Sequence, residues 1–323
     1  MSIEITRECP LSCPGCYAYE DNHLGGGTPL RQLNDYRGAQ LIEGVLALVE
    51  QHRPLHVSLV GGDPLVRCRE LDVLLPELNR RGIFVQVVTS AYRQIPAAWA
   101  TLSRLNVVVS IDGLPPEHDP RRKPATYERI LRHIEGHAVV VHTTITGQTM
   151  QRPGYWEEFL RFWTPRKEIK KVWMSLFTPQ RGASEVPESI RPADRAQIIE
   201  ELLRLRGSFP KLDMAGALIR EFYRPPQSPE ECIFAQTTQT ISADLKTRVT
   251  PCQFGGDPDC AQCGCVASMG LAAVGKHQLV PGLTAGMVFR ASARIGKVFA
   301  KWRAHAPEAG MKNLPILGQR EVV

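Results

Sequence analysis

Residues 3–17 read Ile-Glu-Ile-Thr-Arg-Glu-Cys-Pro-Leu-Ser-Cys-Pro-Gly-Cys-Tyr, a short β-like run followed by three cysteines with the spacing C-x3-C-x2-C. Three thiolates on one loop can bind one face of an iron–sulfur cluster and leave one iron open. A zinc ion would usually take a fourth protein ligand, which His23 or a later cysteine could supply. The stretch therefore predicts a metal site directly after the first strand, and both interpretations are open at this point.

Strands and helices alternate over the residues that follow. Apolar runs separated by helical periodicity give six β-then-α units, which predict a parallel sheet covered by helices. This α/β pattern fits an open doubly wound sheet or a partial (β/α)6 TIM barrel, and in both the ligands bind at the carboxyl ends of the strands. The predicted strands are Ile3–Thr6, Leu55–Val60, Phe84–Val88, Val107–Ile111, Ala138–Ile145 and Val172–Phe177.

Glycine-rich and polar motifs follow the predicted strands in order. Gly61-Gly62-Asp63-Pro64 ends the second strand, Thr89-Ser90 the third, and Ser110-Ile111-Asp112-Gly113 the fourth. Taken alone, the first of these is an ordinary β-to-α turn. Together with the cysteine spacing and the aromatic Tyr17, these three motifs resemble the radical S-adenosylmethionine (SAM) superfamily over about residues 2–180.

The resemblance implies both a fold and a chemistry. Members fold as a partial TIM barrel, and three cysteines bind a [4Fe–4S] cluster whose open iron chelates SAM. A reductant such as flavodoxin or ferredoxin then drives cleavage of SAM to a 5′-deoxyadenosyl radical, which abstracts hydrogen from a C–H bond. By this likeness the cluster ligands are Cys9, Cys13 and Cys16.

The likeness also assigns a SAM site. The glycine-rich loop would hold the methionine amino group of SAM, although Asp63 replaces the usual glutamate. Ser110 and a downstream arginine would contact the ribose and the carboxylate, with Arg122 the candidate and Arg121 its competitor. The expected SAM-site residues are Tyr17, Gly61, Gly62, Asp63, Pro64, Thr89, Ser90, Ser110, Asp112 and Arg122.

A second cysteine group lies near the C-terminus. Thr238–Thr250 alternates like a β-hairpin, and this segment resembles the shortened auxiliary-cluster (twitch) module, a relative of the double-cluster SPASM module. The resemblance implies one auxiliary [4Fe–4S] cluster with one spare thiol, and a structural zinc knuckle is the alternative. The candidate ligands are Cys232, Cys252, Cys260 and either Cys263 or Cys265. Cys68 is predicted to be a buried structural thiol.

Composition places limits on location and partners. The 323 residues are 43% apolar and 22% charged, with a net charge of +6, which is no nucleic-acid signature. We see no signal peptide or membrane span, so we expect a cytoplasmic protein with reduced thiols. Residues 283–303 predict a basic amphipathic helix, which we expect to pack on the barrel with a solvated basic face. Peripheral contact with the inner face of a membrane is the second interpretation. His23 is expected to be polar loop surface, with lining of the substrate cavity as the other interpretation.

Three functional hypotheses follow. The first is a radical SAM enzyme acting on a peptide or protein, although the chain starts at strand one without the leader-binding domain of many such members. The second is a radical SAM enzyme acting on a lipid, sugar or other metabolite, and the third is a non-catalytic zinc protein. The expected domains are 1–190 for the radical SAM partial barrel, 191–229 for a helical connection, 230–275 for the auxiliary module and 276–323 for an amphipathic helix and tail.

Overall fold

The computed structural model describes residues 1–150, 152–182 and 186–305, with side chains up to residue 296 in the last helix. Six parallel strands form the main sheet: β1 (Ser2–Glu4), β2 (His56–Val60), β3 (Phe84–Thr89), β4 (Leu105–Ser110), β5 (Val139–Ile145) and β6 (Ile169–Leu176). Their order in the sheet follows their order in the chain, with parallel pairing throughout. The α/β fold and the partial (β/α)6 barrel are therefore confirmed.

Helices follow the strands and cover one face of the sheet. They are α1 (Gly38–His52), α2 (Cys68–Arg80), α3 (Pro115–Arg122), α4 (Tyr127–His133), α5 (Tyr155–Trp163), α6 (Pro192–Ser208), α7 (Gly216–Glu221), α8 (Ile233–Thr237), α9 (Val266–Lys276) and α10 (Ala285–His305). Strand residues alternate between this helix-covered face and the inside of the barrel. In β5, for example, Val139, Val141 and Ile145 join the main core, whereas His142 and Thr144 stay partly accessible on the inner face.

The segment after the barrel contacts both edges of the main sheet. The hairpin β7 (Thr240–Ile241) and β8 (Arg248–Val249) confirms the predicted hairpin, and β7 pairs in parallel with β1. Near the other edge, the amide of Leu176 donates to the carbonyl of Gly264 at 2.9 Å. An isolated bridge joins Gln180 to Pro258. The two edges that six strands leave open are therefore connected by residues 239–264.

Local sequence signals explain most deviations from the predicted elements. The run Gly113-Leu114-Pro115-Pro116 has the composition of a break, but α3 begins there because proline fits the first turn of a helix, where no amide donor is needed. Residues 97–101, between β3 and β4, form a 3-10 helix. The domain boundaries at 190, 229 and 275 stay a prediction.

The C-terminal region differs from the expected packed helix. A second hairpin, β9 (Gln278–Val280) and β10 (Leu283–Thr284), precedes α10. Met287 and Ile295 were expected to pack on the barrel, but both side chains are exposed, so that interpretation is wrong for these residues. Ala291 on the same apolar stripe of the helix is exposed as well, and the stripe's remaining side chains, Val298, Phe299 and Trp302, lie outside the described part of the chain.

Candidate functional site

The first cysteine group lies on a loop fixed directly to the glycine-rich loop after β2. Gly62 and Asp63 donate their amides to the carbonyls of Thr6 and Glu8, each at 2.8 Å. A Cβ on Gly62 would lie 2.0 Å from the carbonyl oxygen of Glu8, and a Cβ on Gly61 would lie 2.4 Å from that of Thr6. Only glycine permits this approach, so the two loops form one structural unit just before the cysteines.

Asp63 organises the glycine-rich loop from inside. Its carboxylate caps the 3-10 helix that begins at Pro64, accepting from the amide of Leu65 at 3.0 Å. It also accepts from the hydroxyl of Thr89 at 2.7 Å, and from the amide and hydroxyl of Ser90 at 2.8 and 2.6 Å. All three side chains are buried. We interpret Asp63, Thr89 and Ser90 as supports of the loop rather than as direct ligand contacts.

The end of β4 holds an ion pair beside the cysteine loop. Arg122 lies 2.9 Å from both oxygens of the Asp112 carboxylate. Burial alone would raise the pKa of Asp112, but Arg122 outweighs it and holds that pKa below 3.8. Arg121 lies 3.5 Å from the same carboxylate, and its guanidinium donates to the carbonyl of Pro14 at 3.1 Å and to Glu188 at 3.0 Å. The shorter contacts of Arg121 therefore go to the cysteine loop and Glu188, and the assignment of Arg122 to SAM stays a prediction.

Ser110 offers a free hydroxyl at the same edge. It is only partly buried, and no hydrogen bond of its hydroxyl is found within the described ranges. A hydroxyl without a protein partner, two residues before the partly buried Asp112–Arg122 ion pair, fits a role in binding a polar ligand.

The residues of the first group fit an iron–sulfur cluster. Cys9, Cys13 and Cys16 are free, partly buried thiols on one loop. Burial raises the pKa of Cys9 to about 12 and also raises the pKa values of Cys13 and Cys16, while Arg122 opposes the rise at both. Thiolates in such a site need a compensating positive charge, which coordinated iron supplies.

The second cysteine group surrounds a single cavity. Its walls include five thiols together with Thr178, Gln253, Phe254 and Ser268. The thiols are Cys232, Cys252, Cys260, Cys263 and Cys265. Burial raises the pKa of Cys252 to about 12 and that of Cys260 to about 11. The predicted ligands, which are spread over more than 30 residues of sequence, are therefore brought together.

Two contacts fix the unusual Cys263-Gly264-Cys265 segment. Gly264 packs against the end of β6, where it donates to the hydroxyl of Thr178 at 2.8 Å. The guanidinium of Arg195, on α6, donates to the carbonyls of Gln262 at 3.0 Å and Cys263 at 2.6 Å. These contacts hold the backbone of the segment, and the Cys265 sulfur also accepts from the side-chain amide of Gln253 at 3.3 Å.

The two cysteine loops meet at His23. Its ring nitrogens lie 2.7 Å from the carboxylate of Glu4 and 2.8 Å from the carbonyl of Phe254, and both residues of the Glu4–His23 pair are buried. Burial alone would lower the pKa of His23, but Glu4 outweighs it and raises that pKa above 6.5. The ring of Tyr17 packs edge-on against Phe254, with centroids 5.5 Å apart. His23 is therefore a buried link between the two loops, and the expectation of polar loop surface is wrong.

Sequence reasoning missed a further polar residue inside the barrel. His142 on β5 pairs in register with Ser110, and its Nε2 lies 2.9 Å from the hydroxyl of Ser175. That hydroxyl also accepts from the amide of Val266, the residue after Cys265. Burial lowers the pKa of His142 to about 4, so the ring is neutral. The alternation of β5, which puts a histidine on the inner face, was the available signal.

Cys68 is confirmed as a buried thiol, packed in the main core at the start of α2. Within the described residues, no helix is both long and apolar enough to cross a membrane.

Comparisons with known proteins agree with the site. The model of the Radical SAM superfamily matches residues 3–162. No match was found among curated protein sequences.

Solved structures with a similar fold share little sequence with the chain. Native anSMEcpe with bound AdoMet has a TM-score of 0.57 at 16% identity, over 78% of this chain and 74% of that chain. Streptococcus suis SuiB bound to S-adenosylmethionine has a TM-score of 0.53 at 15% identity, over 75% and 56%. SuiB bound to the precursor peptide SuiA has a TM-score of 0.50 at 16% identity, over 64% and 46%. The chain thus spans about half the length of SuiB.

These solved structures support the fold, and the family match covers the cysteine loop, the glycine-rich loop and the β4 ion pair. Residues 3–162 therefore form a radical SAM domain, and this domain indicates a radical SAM enzyme that uses a [4Fe–4S] cluster and SAM.

Proposed function

We propose that the enzyme modifies a peptide or protein substrate and that residues 230–275 bind an auxiliary [4Fe–4S] cluster. The observation that carries the proposal is the cavity lined by five thiols, held against both edges of the partial barrel. Structures of similar fold contain peptides: one is described as anSMEcpe with AdoMet and the Kp18Cys peptide, and another as SuiB with SuiA.

The residues of the first group have distinct tasks in this reaction. Cys9, Cys13 and Cys16 would hold the SAM-binding cluster, and with SAM that cluster supplies a carbon-centred radical that removes a hydrogen atom from the substrate. The loop from Gly61 to Pro64 and the hydroxyl of Ser110 would orient SAM.

The chain's other contribution is to exclude water and competing hydrogen donors from this step. The packing of Tyr17 on Phe254 serves that purpose where the two cysteine loops meet.

The second cysteine group has more thiols than one structural zinc ion takes, since five line one cavity and a zinc ion takes four ligands. A [4Fe–4S] cluster also takes four cysteines and leaves one thiol spare, so the iron and zinc content of the protein decides between the two. The ligands would be Cys232, Cys252, Cys260 and either Cys263 or Cys265.

Iron content and SAM cleavage test the proposal. After anaerobic reconstitution with iron and sulfide, two clusters would give about eight irons per chain. The triple variant C9A/C13A/C16A should keep about four irons and lose dithionite-dependent release of 5′-deoxyadenosine. About four irons in the wild type, lost entirely in that variant, would remove the auxiliary cluster from the proposal. Bound zinc without SAM cleavage would instead support the zinc protein.

The substrate class has its own test. Candidate peptides encoded beside the gene are incubated with enzyme, SAM and reductant, and mass spectrometry follows the loss or gain of mass. Turnover of lipid or sugar metabolites, with no change in any peptide, would favour the second hypothesis. The exposed apolar hairpin before α10 is the observation that favours a lipid as the second candidate substrate.

Location and electron supply complete the proposal. We place the enzyme in the cytoplasm, reduced by flavodoxin or ferredoxin, with peripheral contact between residues 283–303 and the inner face of the membrane. Reduction of the clusters by purified flavodoxin in place of dithionite tests the electron donor.

A further inference from the structure

The positive charge of the chain is concentrated in one segment. Residues 260–307 contain six Lys and Arg residues and no Asp or Glu, so this segment alone accounts for the net charge of +6. The six are Lys276, which pairs with Glu221 at 2.6 Å, and Arg290, Arg294, Lys297, Lys301 and Arg303. The remaining residues are neutral in sum. Such asymmetry indicates an anionic partner for this segment rather than a general property of the surface.

The same segment exposes apolar side chains that nothing in the described chain covers. The exposed fractions are 51% for Leu279, 55% for Val280, 37% for Leu283, 47% for Met287 and 45% for Val288. A strand that packs one face on a core exposes only alternate residues. Leu279 and Val280 are consecutive in β9 and both exposed, so both faces of this hairpin are uncovered.

The hairpin has a rigid attachment to the module with the second cysteine group. Gly286 at the start of α10 crosses Gly275 of α9 so closely that a Cβ on Gly286 would lie 2.8 Å from the carbonyl oxygen of Gly275. The amide of Ala285 donates to the carbonyl of His277 at 2.9 Å and closes the base of the hairpin. The turn Pro281-Gly282 then lies at the far end, away from this base.

Arg290 and Arg294 lie on the first turns of α10, next to the hairpin, and both are exposed. Apolar side chains beside cations, with no anion among them, suit an anionic bilayer, where the chains enter the interface and the cations meet phosphate headgroups. A protein partner would need its own acidic rim.

We propose that the β9–β10 hairpin and the first turns of α10 insert into the surface of an anionic lipid bilayer. This extends the peripheral location proposed above, and it moves the apolar anchor from the helix to the hairpin. Binding needs neither SAM nor substrate, so its outcome is independent of the proposed reaction and of the auxiliary cluster.

Vesicle co-sedimentation of the full chain with reconstituted clusters tests the inference. One set of vesicles is phosphatidylcholine, and the other is an equimolar mixture with phosphatidylglycerol. The wild type should bind the mixed vesicles and bind the neutral ones far more weakly. The affinity of the variant R290Q/R294Q for the mixed vesicles should fall roughly fivefold for each charge removed. Its binding should also depend less on salt concentration.

A second pair of variants isolates the apolar contribution. V280S/L283S should weaken binding by roughly tenfold per residue, because these side chains would no longer enter the interface. L55S/V73S is the matched control: Leu55 and Val73 are 88% and 53% exposed but lie in the barrel, so this variant should bind like the wild type. Iron content checks that each variant is intact.

Three results would overturn the inference. They are equal binding to neutral and mixed vesicles, wild-type binding by V280S/L283S, or no vesicle binding at all. If vesicle binding is absent and the wild type forms a concentration-dependent dimer that V280S/L283S abolishes, the surface is an interface between copies of the chain.

Discussion

Replacement of Gly264 by alanine is the sharpest test of how the second cysteine group is held. Gly264 lies between Cys263 and Cys265, and a Cβ at this position would lie 1.9 Å from the carbonyl oxygen of Leu176 and 2.3 Å from its carbonyl carbon. Both contacts are with the backbone of β6, which cannot rotate away as a side chain can. The substitution therefore forces the cysteine segment away from the barrel.

The energetic cost follows from these contacts. Relief of a 1.9 Å approach requires a shift of roughly 1 Å or more, at an overpacking cost of about 1–3 kcal/mol. The same shift weakens two hydrogen bonds, Leu176 to Gly264 at 2.9 Å and Gly264 to Thr178 at 2.8 Å, each worth about 0.5–1.5 kcal/mol. We expect G264A to weaken the docking of this segment on β6 by about 2–6 kcal/mol.

The assay compares iron content with the spectrum of the SAM-binding cluster. G264A should fall from about eight irons to about four after reconstitution. The change that SAM produces in the electron paramagnetic resonance signal of the first cluster should remain. G270A is the matched control, because a Cβ on Gly270 would lie 3.5 Å from a methyl group of Leu218, an ordinary contact. Alanine at this position should stabilise helix α9 slightly, by about 0.5–1 kcal/mol, because glycine is unfavourable inside a helix.

Two results would refute this reasoning. Full iron content in G264A, with unfolding at the same denaturant concentration as the wild type, would mean that the contact with β6 does not hold the segment. An equal loss of iron in G270A would mean that any added methyl group in this region disturbs the module.

Further predictions concern single residues of the site. C13S should abolish release of 5′-deoxyadenosine, whereas C68S should retain it, as measured by chromatography of the products. S110A should raise the KM for SAM by up to about tenfold, the value of one hydrogen bond, with little change in iron content. E4Q should destabilise the fold by about 3–5 kcal/mol in a denaturant titration, because it breaks a buried ion pair. Because the folded-state pKa of His23 is raised, the pair's contribution to stability is complete below pH 6.5 and is lost as pH rises through that raised pKa. E4Q should therefore make the free energy of unfolding depend less on pH in this range.

The sequence predicted the elements whose causes are local. The strands of the barrel are short apolar runs, and the spacing of the first cysteines and Gly61-Gly62 are each visible within a few residues. The helix at Pro115–Arg122 was missed because two prolines at its start look like a break, although proline fits the first turn. The hairpin over 278–284 was missed because its strands have two or three residues each, too few for a period to show.

Long-range contacts explain the other errors. Nothing near His23 in the sequence indicates that Glu4 and Phe254 converge on it, because those partners are 19 and 231 residues away. Likewise, the tight Cys263-Gly264-Cys265 spacing is unexplained until β6 is seen to pack against Gly264. Such contacts are set by the tertiary fold, which local patterns do not record.

The placement of the second cysteine group gives the module around it a structural role in the radical step at the first cysteine group. Six strands leave a barrel open between β1 and β6, and an opening there would admit water to the radical step. The chain closes it with one module: β7 extends the sheet from β1, while Gly264 docks on β6 and the amide of Val266 bonds to Ser175 inside the barrel. Damage to this module should therefore uncouple SAM cleavage from substrate turnover even where the SAM-binding cluster is intact, and the ratio of 5′-deoxyadenosine to product in G264A measures that uncoupling.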